Sequence, residues 1–209
     1  MDTSMIVMLI RVPAVLIAIT IHELAHGMAA RFLGDRTAEF QGRLTLNPLA
    51  HLDILGTAML MFGPFGWAKP VPVNPMYFKD PRKGMAFVAV AGPLSNITLA
   101  AVTGLVFRMG IVPPNSWLYV FMNLFFIINI GLAVFNLLPI YPLDGSRIVM
   151  AFLSPTMLRR YMRTMTYVPQ IFLLMIVVEW VTKTPILSFL LMPVFIPLYN
   201  LAHFLFIGA

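Results

Sequence analysis

MIVMLIRVPAVLIAITIHELAH, residues 5–26, runs an apolar stretch straight into the motif His22-Glu23-Leu24-Ala25-His26. Met5 to Ile21 carries one charge, Arg11, so the segment suits a membrane helix. Two histidines at this spacing project from one helical face, one turn apart. That arrangement fits two imidazole ligands to a single zinc ion, with Glu23 beside the metal's open position. Ionisable groups inside a membrane are expensive and mark function. The bland alternative is a chance match, or a histidine pair capping a helix near the membrane surface.

Composition extends this reading to the whole chain. Of 209 residues, 60% are hydrophobic and 11% charged, whereas a soluble domain is nearer a quarter charged. Mean hydropathy is +0.88. The fold class expected is an all-α polytopic membrane protein with about five to six transmembrane helices. There is no cysteine, so a metal must use His, Asp or Glu. The net charge of +6 falls in loops between apolar segments, which reads as topology control and excludes a nucleic-acid footprint. The N-terminus lacks the basic start and small-residue cleavage site of a signal peptide. Residues 1–209 read as one membrane-embedded domain, with a core over about 5–150 and accessory spans over about 160–207.

Along the chain, a first helix runs from about Met5 to Phe32 and closes at Gly34. Ala38 to Leu46 alternates apolar and polar residues, which predicts a strand with one greasy face. Leu49 to Phe62 is apolar, short for a span, and contains His51 and Asp53. Trp67 to Pro75 is extended, because its prolines forbid helix. Gly84 to Phe107 and Trp117 to Leu138 are full spans. Met162 to Val181 and Ile186 to Ile207 complete the set, with kinks expected at Pro169, Pro193 and Pro197.

Topology turns on Leu49 to Phe62. If it does not cross, Arg31, Arg36, Arg43, Lys69, Lys79, Arg82 and Lys83 share a side with Arg147, Arg159, Arg160 and Arg163. Only Arg11, Arg108 and Lys183 then face the other way. The positive-inside rule favours this arrangement. It gives a short extended or re-entrant element between the first two full spans, the N-terminus outside, and the C-terminus and active-site mouth in the cytoplasm. A prokaryotic cell membrane is the expected location.

A catalytic zinc needs a third protein ligand. Phe32 stands where a metzincin-type histidine would be, Glu39 lies in the expected strand, and Glu179 is near the far end of a later span. The best candidate is Asp144, in Asn136-Leu-Leu-Pro-Ile-Tyr-Pro-Leu-Asp144-Gly145. The favoured topology brings it to a depth similar to that of His22 and His26. The alternative is a helix-capping aspartate in a Leu-Asp-Gly turn.

Together these residues resemble the site-2 protease family of intramembrane zinc metalloproteases. Both of its motifs, HExxH and N-x-x-P-x-x-P-x-D-G, stand intact. Gly92-Pro93-Leu94-Ser95-Asn96 looks like the family's glycine-proline helix start. Asn47 to Asp53 and Gly66 to Pro75 look like the compact prokaryotic branch without PDZ or CBS domains. The likeness covers roughly the first two thirds of the chain.

The resemblance implies an intramembrane zinc endopeptidase acting on transmembrane protein substrates in the lipid bilayer. His22, His26 and Asp144 would hold one zinc per chain, and Glu23 would be the catalytic base. Asn136 would assist the oxyanion, or serve interhelical packing. Asn96 would orient an imidazole, or make a helix–helix hydrogen bond. The Ala38–Leu46 strand would dock unwound substrate, or merely close the mouth. His51 and Asp53 read as a hydrogen-bonded pair ahead of a second metal site. Arg11 reads as snorkelling to the surface, Arg147 and the Arg159–Arg163 cluster as topology anchors, and His203 as a packed or interfacial residue. The competing readings are a catalytically silent relative that binds membrane proteins, and a metal transporter.

Overall fold

A computed structural model describes residues 3–53, 56 and 68–208. Helix α1 (Thr3–Phe32) is long, apolar and tolerant of Pro13. It ends where Gly34 takes φ +104°, a conformation open to glycine but costly for residues with a Cβ. Helix α2 (Thr37–Phe40) is a single turn, started by Asp35, whose Oδ1 accepts the Thr37 N–H at 2.9 Å. Helix α3 (Pro81–Arg108) begins with Pro at its first position and is capped by Asp80 Oδ1, which accepts from the Arg82 and Lys83 N–H groups. Both choices suit a helix start. Ser116 caps α4 (Trp117–Leu137). Four further helices follow: α5 (Asp144–Phe152), α6 (Pro155–Met165), α7 (Val168–Thr182) and α8 (Ile186–Phe206).

Among the described residues, five stretches are long and apolar enough to cross a membrane: Met8–Phe32, Pro81–Arg108, Trp117–Leu137, Pro155–Thr182 and Phe189–Phe206. The chain is an all-α polytopic membrane protein embedded in a lipid bilayer. The expected spans near Gly84–Phe107, Trp117–Leu138 and Ile186–Ile207 are found within a few residues of those bounds.

Helix α3 is the centre of the bundle, antiparallel to both α1 and α4, which also touch each other. Ala29 and Ala30 of α1 pack with Val88 of α3 and Phe78 at one end. Ala100 of α3, Phe126 and Ile130 of α4 and Ala202 of α8 pack at the other. Lipid supplies no hydrophobic drive between helices, so small residues that allow close approach do this work. Helix α8 runs antiparallel to α4. Phe195 lies beside Gly131, and Tyr199 and His203 pack on Phe126. At the far end, Arg108 Nε donates to the Ile207 carbonyl at 3.2 Å.

Four expectations change. Ala38 to Leu46 forms no strand, and the described residues contain only one isolated bridge, Leu52 to Ala68. The alternation there does not track burial: polar Arg43 is 9% exposed, whereas Phe40 is 78% exposed and Leu46 67%. With no neighbouring strand to pair with, the backbone closes its hydrogen bonds locally in a helical turn. Pro169 starts α7 after a break and does not kink a helix.

His51 and Asp53 do not pair with each other. His51 Nε2 bonds the Thr45 carbonyl at 2.9 Å, and Asp53 accepts the Gly56 N–H at 2.8 Å. The C-terminal end of α8 lies beside Arg108, at the end of the bundle opposite Asp144, and not on the side of the active-site mouth. Most of Leu49 to Phe62, the element expected to be re-entrant, lies outside the described residues beyond a 3-10 turn at Pro48–His51.

This packing predicts the outcome of cysteine labelling, which is clean because the native chain has no cysteine. Cysteines at Lys79 and Arg160 should react with an impermeant reagent from one side. Cysteines at Asn115 and appended after Ala209 should react from the other. Reaction of the appended cysteine from the Lys79 side would contradict the packing of α8 along α3.

Candidate metal centre

Helix α1 presents His22 and His26 to α3, and Asp144 approaches from the first position of α5. Each imidazole is oriented by a bond at Nδ1. His26 Nδ1 donates to the Val88 carbonyl at 2.8 Å. His22 Nδ1 lies 2.6 Å from Asn96 Oδ1. Asn96 Nδ2 donates to the Ala18 carbonyl at 3.3 Å and to Asn129 Oδ1 at 2.8 Å. Those two bonds fix which end of the Asn96 amide is oxygen, so His22 Nδ1 must carry the proton.

In their neutral form both rings therefore present a bare Nε2 lone pair, and the two Nε2 atoms face each other at 3.0 Å. Asp144 Oδ2 lies 3.3 Å from one and 3.2 Å from the other. It is buried and has no hydrogen-bond partner. One proton shared between two of these atoms would leave the third unsatisfied, whereas a cation satisfies all three. Zinc with ligands at about 2.0–2.1 Å gives tetrahedral ligand–ligand edges of about 3.3 Å, which matches the separations found. The nitrogen and carboxylate donor set, with no thiolate, also fits zinc. The expected trio is thus brought together as a group that could hold the metal.

Glu23 faces the same cavity, of about 350 Å³, with Asn136 and Arg147 also on its wall. Glu23 Oε2 accepts the Val71 N–H at 2.8 Å. Val71 belongs to the extended segment 69–74, whose prolines keep it out of helix. That segment is clamped across the site. Arg43 Nη2 donates to the Lys69 and Pro70 carbonyls at 2.8 and 3.3 Å. Asp35 Oδ2 accepts the Asn74 N–H at 2.6 Å. Asn96 is completely buried and bonds both His22 and the neighbouring helices. Asn136 donates one amide hydrogen to the Leu132 carbonyl of its own helix at 3.0 Å and keeps its other N–H.

The roles of three residues at the site escaped sequence reasoning. Asn129 extends the His22–Asn96 bond to a third helix and anchors itself on the Phe125 carbonyl at 2.8 Å. Its signal was a polar residue two turns before Asn136 on the same face of an apolar span. Gly92 is a second: a methyl there would overlap the His26 and His22 rings, so only glycine lets α3 approach. Arg43, read as a loop charge, is the third. Interhelical hydrogen bonds in membranes average only about 0.6 kcal/mol. The asparagine chain therefore matters more for holding an imidazole in place than for bundle stability.

The chain's relatives agree with the geometry. The model for peptidase family M50 matches residues 109–178, which include Asn129, Asn136 and Asp144. The candidate zinc metalloprotease YwhC of Bacillus subtilis is 38% identical over 185 residues, 85% of this chain and 82% of that protein. The candidate zinc metalloprotease MJ0611 of Methanocaldococcus jannaschii is 34% identical over 149 residues, 70% of this chain and 72% of that protein. The candidate zinc metalloprotease Rip2 of Mycobacterium tuberculosis is 29% identical over 146 residues, 67% of this chain and 56% of that protein. No solved structure matches the chain. With a donor trio suited to zinc in an apolar bundle and relatives matched over most of their length, the chain belongs to peptidase family M50, the site-2 protease family of zinc metalloproteases.

Proposed function

We propose that the protein is an intramembrane endopeptidase that hydrolyses peptide bonds in or near the transmembrane segments of membrane-protein substrates. The observation supporting this is the placement of the donor trio and Glu23 on one cavity between apolar helices. His22 Nε2, His26 Nε2 and Asp144 Oδ2 would hold one zinc per chain. When bound, zinc supplies a Lewis acid that activates water and polarises the scissile carbonyl. Glu23 Oε2 is held by the Val71 N–H, so Oε1 receives the proton from water, and the carboxylate returns it to the leaving nitrogen. Asn96 and the Val88 carbonyl keep both Nδ1 atoms protonated and both Nε2 atoms free to ligate. The remaining Asn136 N–H serves the substrate carbonyl oxygen. Val71, Val73, Met85 and Val88 wall the cavity and limit water.

A helical substrate must unwind to expose its carbonyls. The clamped segment 69–74, and not Ala38–Leu46, is the extended backbone beside the site. The reading takes the chain as one membrane-embedded unit, because α8 packs on α3 and α4. It puts the site end, rich in Lys79, Arg82, Lys83 and Arg147, in the cytoplasm of a prokaryotic cell, as the positive-inside rule favours. The N-terminus and the end of α8 are then outside.

The decisive experiment uses purified protein and a single-pass substrate. Glu23→Gln should retain zinc and lower cleavage about 100-fold or more, since the residue is a base and not a ligand. A transporter or a silent binding protein would show no cleavage to lose. Cleavage that survives both Glu23→Gln and a chelator would refute the zinc-protease reading.

The ligand assignment has its own test in zinc content and chelator competition. Asp144→Ala should lower occupancy, because one of three protein ligands is gone. Asn129→Leu, which touches neither metal nor substrate, should weaken zinc binding by about tenfold through Asn96. Gly92→Ala should deplete zinc by displacing the histidines, and unchanged zinc in a folded Gly92→Ala protein would show that α3 can retreat.

A further inference from the structure

The site makes no use of α6, a helix with two opposed faces. At 100° per residue, Arg159, Arg160 and Arg163 fall within one arc of about 100°. Met157, Leu158, Tyr161, Met162 and Met165 occupy the opposite side. All three arginines are exposed, and no residue of α6 is buried. Met157 is 59% exposed, so protein does not cover the apolar face. No Asp or Glu occurs between Asp144 and Glu179. None of the ion pairs among the described residues includes these arginines. A helix that is cationic on one side and bare and apolar on the other is built to lie in a membrane interface.

The contacts of α6 and α7 fix where that interface is. The Tyr161 hydroxyl donates to the Pro139 carbonyl at 2.9 Å, in the loop that leads to Asp144. Near the start of α7, Phe172 packs on Phe135 at the same end of α4. At its other end, Glu179 Oε2 accepts the Leu187 N–H at 2.9 Å. Leu187 begins α8, which runs from the Asp144 end of the bundle towards Arg108. Both ends of α7 are therefore held at the Asp144 end. Its fifteen residues span about 22 Å, short of a hydrocarbon core of about 30 Å.

We infer that α6 lies in the headgroup layer on the site's side of the membrane and binds anionic phospholipids, with α7 lying along that leaflet without crossing. The guanidinium groups of Arg159, Arg160 and Arg163 take the lipid phosphodiesters, whose paired oxygens match their fork of donors. Each basic side chain near an acidic surface strengthens association roughly fivefold. Lipid, not free phosphate, is the occupant because the apolar arc beside the arginines needs acyl chains to cover it. Tyr161 then ties the lipid-seated helix to the loop bearing Asp144. The inference rests on the membrane fold and not on the protease reading.

The test uses full-length protein in nanodiscs of phosphatidylcholine and phosphatidylglycerol, released into a native mass spectrometer. Wild-type protein should retain phosphatidylglycerol preferentially, and high salt should strip it. The triple variant Arg159→Gln, Arg160→Gln, Arg163→Gln, with wild-type zinc content as its folding control, should lose that preference by tenfold or more. Excess inorganic phosphate at constant ionic strength should leave wild-type retention unchanged. A cysteine at Thr184 should react with an impermeant reagent from the same side as one at Lys79. Retention insensitive to salt or unaltered in the zinc-replete variant, displacement by phosphate, or labelling of Thr184 from the opposite side would each overturn the inference. The salt measurement decides the matter on wild-type protein even where the triple variant does not fold.

Discussion

Three lone pairs meeting within 3.3 Å of one another, from His22, His26 and Asp144, form the constraint around which the rest of the bundle is arranged. Without a cation the arrangement is repulsive, and the apolar helices that flank it do little to screen that repulsion. Everything adjacent serves to hold the trio in place. Val88 and Asn96 orient the rings, Gly92 makes room for them, and the turn at Leu143–Asp144 delivers the carboxylate. Metal binding and helix packing are therefore one event energetically, as in other sites whose ligands come from distant parts of a chain.

The apolar surroundings sharpen this coupling. A buried polar group in lipid has nowhere to turn when its partner is lost. The completely buried His51, Asn96 and Asn129 are hydrogen-bonded within the protein, and Asp35 and Arg43 spend their charges on backbone groups flanking the segment over the site. Charge on this molecule is divided between two tasks. Exposed Arg36 and Glu39 pair at the surface, where the Arg36 hydrogen bond holds the Glu39 carboxyl below its usual pKa. Buried Arg43 and Asp35 fasten loop backbone close to the metal site.

Much of this was legible in the sequence because the governing signals are local. The HExxH spacing, the length of the apolar runs, the caps at Asp80 and Ser116 and the Asp144 motif each need only a few neighbouring residues to be read. What failed to read depends on distant partners. The alternation from Ala38 to Leu46 looked like a strand, but a strand exists only with a pairing edge, and none was available. Arg43 passed for a loop charge because its acceptors lie 26 and 27 positions away. The direction of α8 rests on contacts between residues far apart in the chain, such as Phe126 with Tyr199 and His203, which hydropathy does not report.

The chain of amides from His22 through Asn96 to Asn129 has a consequence for assembly in the membrane. Apolar helices in lipid can slide and rotate against one another with little penalty, since one greasy surface resembles the next. A slip of one residue moves a helix by about 1.5 Å and turns it by about 100°, which carries an asparagine out of reach of its partner. Two short hydrogen bonds therefore set the depth and the rotation of α1, α3 and α4 together. In a bundle with few other polar landmarks between these helices, they define the register in which the first, third and fourth helices are assembled.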